Sequence, residues 1–255
     1  MLILLSPAKT LDFERRIPDV NTTEIHFSAE AQELAGLLKT KSVKDLRELM
    51  HISDKLAQLN AERFLLWHWP FDDFNVRASI YAFKGEVYSG FEVDTMKFEA
   101  VEYAQKSVRI LSGLYGVLRP FDAIMPYRLE MGTKLLNSKG KDLYSFWGDK
   151  ITRAINDDLQ SENHQALVNL ASQEYYKTID EKKIERKIIT PVFKEFKNGQ
   201  YKVISIYAKK ARGLMTRFIV ENRLTNPEDL KAFDLDGYVF NNELSKGKEL
   251  VFTRR

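Results

Sequence analysis

The chain opens with MLILLSPAKT at residues 1–10. Met1 to Leu5 is a short, continuous apolar run that ends at Ser6-Pro7, a pattern typical of a strand buried on both faces of a sheet. In open α/β sheets, ligands bind beyond the carboxyl ends of the strands. We therefore expect the polar residues that follow this strand, Lys9 above all, to lie where a ligand binds.

The rest of the chain interleaves helical and extended patterns, without a repeat or a low-complexity linker. Helices are expected at 28–38, 42–50, 54–64, 76–83, 98–106, 145–159 and 211–222, and strands at 107–111 and 166–170. Asn198-Gly199 tolerates the positive φ angles of a tight hairpin turn, so 188–196 should pair with 201–208. A second hairpin is expected to turn near Lys246-Gly247. These patterns predict a single α/β domain over residues 1–255, a mixed sheet covered by helices.

The composition argues against several kinds of site. The 255 residues contain no cysteine, which excludes disulfides, thiolate metal ligands and a cysteine nucleophile. The 4 histidines are scattered, and nothing in the sequence indicates a metal site or a cofactor. No stretch approaches the ~20 apolar residues that cross a bilayer, and the apolar start is too short for a signal peptide. We therefore expect a cytoplasmic protein with no membrane contact.

The strongest candidate for an anion site is KVISIYAKKARGLMTR at 202–217, which has five basic residues and no acidic one. A strand through residue 208 that turns into a helix would place Lys209, Lys210 and Arg212 around a helix N-terminus. Free N–H groups already favour an anion there, and each added cation costs ~0.3–1 kcal/mol unless an anion is bound. Arg217 follows two turns beyond Lys210. The alternative is a solvated basic face that pairs with acidic residues elsewhere.

A second candidate is SGLYGVLRPFDAIMPYRLEMGT at 112–133, in which glycines and prolines interrupt large apolar residues. If residues 127–131 are extended, Arg128 and Glu130 point to one face, and Tyr127 points to the other. Arg128 and Glu130 then form an internal ion pair, or else Arg128 binds phosphate while Glu130 acts as a general base. The residues alone favour the ion pair.

Two shorter segments complete the candidates. NLASQEYYK at 169–177 follows a predicted strand, with Ser172 as a helix cap and Lys177 further along. If this strand is a parallel neighbour of the first, Lys9 and Ser172 converge in one cleft with Lys209 and Lys210. A lysine crowded by cations can act as an amine nucleophile, so Lys9 is either that nucleophile or an ordinary surface lysine.

The helices at 42–50 and 54–64 are joined by three residues and could form a helix–hairpin–helix whose hairpin N–H groups bind a DNA phosphate. Lys44, Lys55 and Arg63 lie on these helices and would add phosphate contacts. Such helix pairs are also common as purely structural units, so both interpretations stay open.

Together these segments resemble the YaaA family of bacterial peroxide-stress proteins, in order and over nearly the whole chain. The matching stretches are SPAKT at 6–10, LMHISDKLAQLNAERF at 49–64, AFKGEVYSG at 82–90, LSGLYGVLRPFDAIMPYRLEMGT at 111–133, DLYSFWGDKIT at 142–152, NLASQEYYK at 169–177 and YAKKARGLMTRFIVENRL at 207–224. The resemblance implies the family's compact α/β fold with a basic cleft. It also implies binding of duplex, branched or bubbled DNA, with the helix–hairpin–helix at 42–64 taking part, and a protective role tied to DNA repair and lowered intracellular iron.

Three functions remain open at this point. The first is DNA binding through Lys and Arg contacts to phosphates, without strong sequence preference. The second is an enzyme that acts on a nucleobase or a phosphorylated small molecule in the same cleft. Its candidate residues are Lys9, Tyr127, Arg128, Glu130, Ser172, Tyr175 and Lys177. The third is direct iron binding, against which the scattered histidines and the lack of cysteine argue.

Overall fold

The computed structural model describes residues 1–72 and 74–255. Its strands are β1 (Leu2–Leu5), β2 (Thr10–Leu11), β3 (Arg77–Ala78), β4 (Phe83–Lys84), β5 (Val108–Ser112), β6 (Gly116–Leu118), β7 (Ala123–Ile124), β8 (Ala166–Asn169), β9 (Lys187–Lys197), β10 (Gln200–Lys202), β11 (Val239–Phe240) and β12 (Glu249–Arg254). The α-helices are α1 (Ser28–Lys39), α2 (Val43–Met50), α3 (Asp54–Leu66), α4 (Ser79–Ala82), α5 (Glu86–Phe91), α6 (Phe98–Ser107), α7 (Leu143–Trp147), α8 (Lys150–Ser161), α9 (Gln173–Tyr176) and α10 (Ser205–Glu221).

The main sheet has the strand order β11-β12-β9-β8-β1-β5-β6, with β10 attached to β9. Strands β5, β1, β8, β9 and β12 are mutually parallel, whereas β6, β10 and β11 pair antiparallel. All four residues of β1 are buried, as expected for a central strand covered on both faces. The prediction of an α/β fold with a mixed sheet flanked by helices is confirmed. We call the edge at which the parallel strands β5, β1 and β8 end the carboxyl edge.

Strand β9 extends far beyond the carboxyl edge of its neighbour. It pairs with β8 only at 187–189, and its remaining residues pair with β12 and β10. At roughly 3.3 Å per residue, the overhang of 190–197 is about 25 Å long. The predicted hairpin turn ends it, with positive φ at both Asn198 and Gly199.

Predictions that rest on local signals are confirmed. The helices expected at 28–38 and 98–106 are α1 and α6, and the strand expected at 166–170 is β8. Ser42 caps α2 through a capping box, in which its hydroxyl accepts the Asp45 N–H and the Asp45 carboxylate accepts the Ser42 N–H. The second hairpin is also present, as β11 pairs with β12.

Two predicted helices are wrong in their extent. Residues 76–83 contain only the one-turn helix α4, because β3 pairs with β7 and β4 pairs with β2, both distant in sequence. The helix expected at 145–159 is divided into α7 and α8 at Gly148, whose φ of 47° does not fit a right-handed helix. The spacing of apolar residues reveals neither difference. Pairing with distant strands determines the structure at 76–83, and the positive φ of Gly148 determines it at 145–159.

The strand predicted at 201–208 is also wrong, since β10 ends at Lys202 and α10 already begins at Ser205. The alternation that suggested a strand buries no face, because Val203 and Ile206 remain 55% and 54% exposed. Ala208, Ala211 and Met215 are buried instead, at the three- and four-residue spacing of a helix face. This spacing of buried residues shows why α10 begins at Ser205, six residues before the predicted start.

Helix α10 crosses α5 at two glycines that have no room for a side chain. A Cβ on Gly90 would lie closer than 3.0 Å to the Lys210 carbonyl oxygen, and one on Gly213 equally close to the Val87 carbonyl oxygen. Backbone atoms cannot move aside as a flexible side chain can. The crossing therefore fixes where α10 presents residues 209–212 relative to α5.

Gly213→Ala is expected to lower the free energy of unfolding by ~1–3 kcal/mol, because the added methyl group overpacks the crossing. Gly36→Ala is the matched control, since Gly36 is exposed within α1 and a Cβ there meets nothing within 4 Å. The control should gain ~0.5–1 kcal/mol from helix propensity. Urea denaturation measures both changes, and equal stability of the two variants would contradict the close crossing.

Candidate functional site

The loops after β1 and β8 meet at the carboxyl edge. Strands β1 and β8 are parallel neighbours, as the sequence-based hypothesis required. The Ser172 N–H donates to the Ser6 hydroxyl at 2.8 Å, and the two hydroxyl oxygens lie 3.2 Å apart. Ser6 was not among the predicted site residues, because a serine before a proline gives no sign of a partner 166 residues away. Ser172 is thereby held beside the segment that carries Lys9.

Glu130 joins two of the predicted cations. The Lys9 ammonium lies 2.6 Å from Glu130 Oε2, and Arg128 Nη2 donates to Glu130 Oε1 at 3.0 Å. The predicted internal Arg–Glu pair is therefore present. Arg128 Nε is buried without a hydrogen-bond partner among the described residues, so the guanidinium is only partly satisfied. Tyr127 is buried on the opposite side of this segment, as the predicted alternation requires.

Tyrosine hydroxyls form the floor beneath these charges. The Tyr127 hydroxyl lies 2.7 Å from Ser112 Oγ, and the Tyr88 hydroxyl donates to the Ser6 carbonyl oxygen at 3.1 Å. Burial raises the pKa of Tyr88, Tyr127 and Tyr175. The three phenols therefore stay protonated at neutral pH, where they hold neighbouring groups by hydrogen bonds and do not act as bases. Tyr88 was missed because its sequence does not distinguish it from a core tyrosine.

Helix α3 brings a further cation to this group. Arg63 is half-buried, and its pKa is lowered by burial and also by the nearby charge of Arg128. The structure gives Arg63 no ion pair within 1–72 and 74–255. Lys44 and Lys55 are exposed on α2 and α3. Lys9 and Arg128 therefore share a single carboxylate, that of Glu130, and Arg63 adds a third positive charge near Arg128.

The turn between α2 and α3 uses its own N–H groups internally. His51 adopts the left-handed conformation, and the N–H groups of His51 and Ile52 both donate to the Arg47 carbonyl oxygen. Asp54 begins α3 and pairs with Arg47 at 3.1 Å. The N–H groups of His51 and Ile52 are therefore not free to bind a phosphate, and Asp54 adds a negative charge in the first turn of α3.

The basic residues of α10 lie in the second turn of the helix, which corrects the predicted place at its N-terminus. Because α10 starts at Ser205, the backbone N–H groups of Lys209 and Lys210 lie inside the helix, where they bond to carbonyls one turn back. Lys210 lies 3.7 Å from Asp236, while Lys209 and Arg212 have no ion pair in the described part of the chain. Burial lowers the pKa of Arg212.

Two predicted residues have structural partners elsewhere. Arg217 pairs with Glu92 at 3.3 Å and with Glu221 at 2.8 Å, and it also donates to the Thr95 hydroxyl. It thus ties α10 to the segment after α5. The Lys177 ammonium lies 4.8 Å from the centre of the Tyr144 ring, a cation–π contact on the exterior.

A cavity opens beside Glu130, between the α2–α3 turn and the 130–134 loop. Its volume is about 270 Å³, and Met50, His51, Thr133 and Glu174 are among the residues that line it. Glu130 also lines a smaller space of about 10 Å³ next to Lys9 and Arg128, enough for about one water molecule. The 270 Å³ cavity and its residues Thr133 and Glu174 were not predicted.

Comparison with known proteins places the chain in a family. A family model described as peroxide stress protein YaaA matches residues 1–244. The chain belongs to this family. UPF0246 proteins of Hahella chejuensis and Saccharophagus degradans are 51% and 52% identical to it over 254 and 255 residues, covering 100% of this chain and 99% and 100% of theirs. A UPF0246 protein of Idiomarina loihiensis is 54% identical over 254 residues, covering 100% of this chain and 98% of its own.

Membership of the YaaA family confirms the resemblance seen in the sequence and supports a role in peroxide stress. Within the described residues, no group of three or more histidine, aspartate or glutamate side chains is arranged to hold a metal ion. None of the described helices combines the length and the apolar character needed to cross a bilayer.

Glu130→Gln is expected to lower the free energy of unfolding by ~1–2 kcal/mol, because Lys9 and Arg128 lose their shared carboxylate. Sulfate should stabilise this variant more than the wild type, since an added anion then meets uncompensated cations. Urea denaturation in chloride and in sulfate at equal ionic strength measures both effects. Glu162→Gln, at the opposite edge of the sheet, is the control, and equal sulfate responses would argue against a cation cluster.

Proposed function

We propose that this protein binds duplex or branched DNA through phosphate contacts along the carboxyl edge of the main sheet, and that it protects DNA during peroxide stress. The family description supports the stress role. Phosphate contacts carry no sequence information directly, so the binding has little sequence preference. The net charge of only +3 means that affinity depends on a local concentration of cations.

The observation that carries the proposal is an excess of cationic side chains over carboxylates near this edge. Lys9 and Arg128 share Glu130, and Arg63 near them, like Lys209 and Arg212, has no acidic partner among the described residues. Isolated surface charges are common, but several uncompensated cations near one another repel and favour a bound polyanion.

Contacts between helices bring the α10 cations towards the same end of the molecule. Helix α10 crosses α5 at Gly90 and Gly213, and Tyr88 of α5 donates to the Ser6 carbonyl oxygen at the end of β1. On the other side, Arg63 of α3 lies near Arg128. These contacts support a cleft with one basic side at α10 and another at α2–α3, which would suit a phosphate backbone.

In this arrangement α2 and α3 contact DNA through side chains. The N–H groups of His51 and Ile52 are already bonded to Arg47, so Lys44, Lys55 and Arg63 supply the contacts. Arg217 takes no part, because Glu92 and Glu221 occupy its guanidinium.

A Lys209→Ala/Lys210→Ala variant is expected to weaken duplex binding and to reduce the log–log salt slope by roughly 2, about 0.9 for each lost phosphate contact. Fluorescence anisotropy of a labelled duplex across a salt series measures both. A Lys44→Ala/Lys55→Ala variant tests the opposite side in the same way.

The control is Lys182→Ala/Lys187→Ala, which removes the same charge near the amino end of β9. Its salt slope should equal that of the wild type. If the control weakens binding as much as the α10 variant, the protein responds to net charge alone and the proposed surface is wrong.

A second function is favoured by the 2.6 Å contact between Lys9 and Glu130 beside a cavity. If Glu130 accepts a proton from the Lys9 ammonium, the free amine can attack the aldehyde carbon of an abasic sugar. Loss of water then leaves a Schiff base between Lys9 and the sugar. The expected outcome is an adduct trapped by borohydride in the wild type and absent in Lys9→Arg, which keeps the charge. Failure to trap any adduct would remove this lyase reaction.

A further inference from the structure

The 270 Å³ cavity beside Glu130 differs in chemistry from the cation cluster it adjoins. One side of the cavity is formed by the end of α2 and its turn, with Leu49, Met50 and His51. The other side is the 130–134 loop together with Glu174 of α9. Its size is close to the lower end of the ~300–1,000 Å³ range of small-ligand sites, so it suits one ring system.

Two side chains that line the cavity have polar atoms without a hydrogen-bond partner among the described residues. Thr133 is only 8% exposed, and its hydroxyl makes no hydrogen bond within residues 1–72 and 74–255. Glu174 accepts the Gly132 N–H with Oε1 at 2.9 Å, while its Oε2 has no partner in the same residues. The His51 ring is exposed at the rim of the cavity. Polar groups that converge on a pocket with apolar walls are typical of a small-ligand site, so Thr133 and Glu174 point to a ligand.

The polarity of these groups identifies the part of a ligand that fits. A carboxylate repels a phosphate but accepts hydrogen bonds from the N–H groups on the edge of a nucleobase. Leu49 and Met50 offer apolar contact for a ring face. Phosphate groups, in contrast, suit Lys9, Arg63 and Arg128 on the other side of Glu130.

We propose that this cavity receives a single nucleobase with N–H donors, while the phosphate of the same nucleotide lies on the Lys9–Arg128 side of Glu130. The inference rests on the proposed DNA binding and specifies its target as an unstacked base. Unstacking costs a few kcal/mol and costs least for a base that is already mismatched or unpaired. The protein should therefore favour DNA with such bases over fully paired duplex.

The test uses a duplex with 2-aminopurine at a mismatch, because the fluorescence of this base rises when it leaves the stack. Wild-type protein at saturation should raise the signal severalfold. Thr133→Phe, which fills the cavity, and Glu174→Gln, which removes the charge and keeps the shape, should abolish most of the rise. Both should bind a fully paired duplex, which leaves the cavity empty, with a Kd within about twofold of the wild type by anisotropy.

Glu162→Gln, on an exposed residue at the far edge of the sheet, is the control for Glu174→Gln and should keep the full signal. If Thr133→Phe fails to fold, Glu174→Gln decides alone. DNA binding without a fluorescence rise, or a rise that persists in Glu174→Gln, would overturn the cavity proposal and leave DNA binding intact.

Free dGMP tests whether the cavity binds a free nucleotide or only a nucleotide within DNA. Suppose that calorimetry detects dGMP binding to the wild type, that Glu174→Gln abolishes it, and that the protein binds no DNA. The cavity would then be a site for a free nucleotide, and the DNA function would be refuted. Failure of both DNA and dGMP to bind would overturn both proposals.

Discussion

The parallel pairing of β1 with β5 and β8 is the constraint on which the rest of the site depends. Parallel neighbours end at the same edge of a sheet, so the segments after β1, β5 and β8 meet there despite their separation in sequence. Ser6 and Ser172 bond across this edge, and Ser112 holds Tyr127. The buried apolar run of β1 therefore determines the position of polar residues that it does not contain.

In the absence of a ligand, Glu130 neutralises part of the positive charge at this edge. Three cations near one another would destabilise the fold by repulsion, and Glu130 offsets part of that repulsion through Lys9 and Arg128. A phosphate that binds here must compete with this carboxylate. Each phosphate contact is therefore weak by itself, and useful affinity requires contacts on the α10 and α2–α3 sides at the same time.

The sequence predicts those elements whose determinants lie within a few residues. The capping box at Ser42 and the turn at Asn198-Gly199 are of this kind, because each depends on adjacent groups. Residues 76–83 were wrongly predicted as one helix because their ends pair with β2 and β7, which the local pattern does not contain. The start of α10 was misplaced because exposed Val203 and Ile206 imitate a strand pattern.

The sequence predicted which residues belong to the site, but it did not predict which of them contact one another. Lys9, Arg128 and Glu130 were identified from the sequence, yet the sequence does not show that one carboxylate serves both cations. Thr133 and Glu174 gave no signal, because a single threonine and a helical glutamate are ordinary until the fold encloses a cavity between them. Glu130 lines both this cavity and the cation cluster. A ligand that matches both sides must carry negative charge at one end and hydrogen-bond donors at the other, which is the chemistry of a nucleotide.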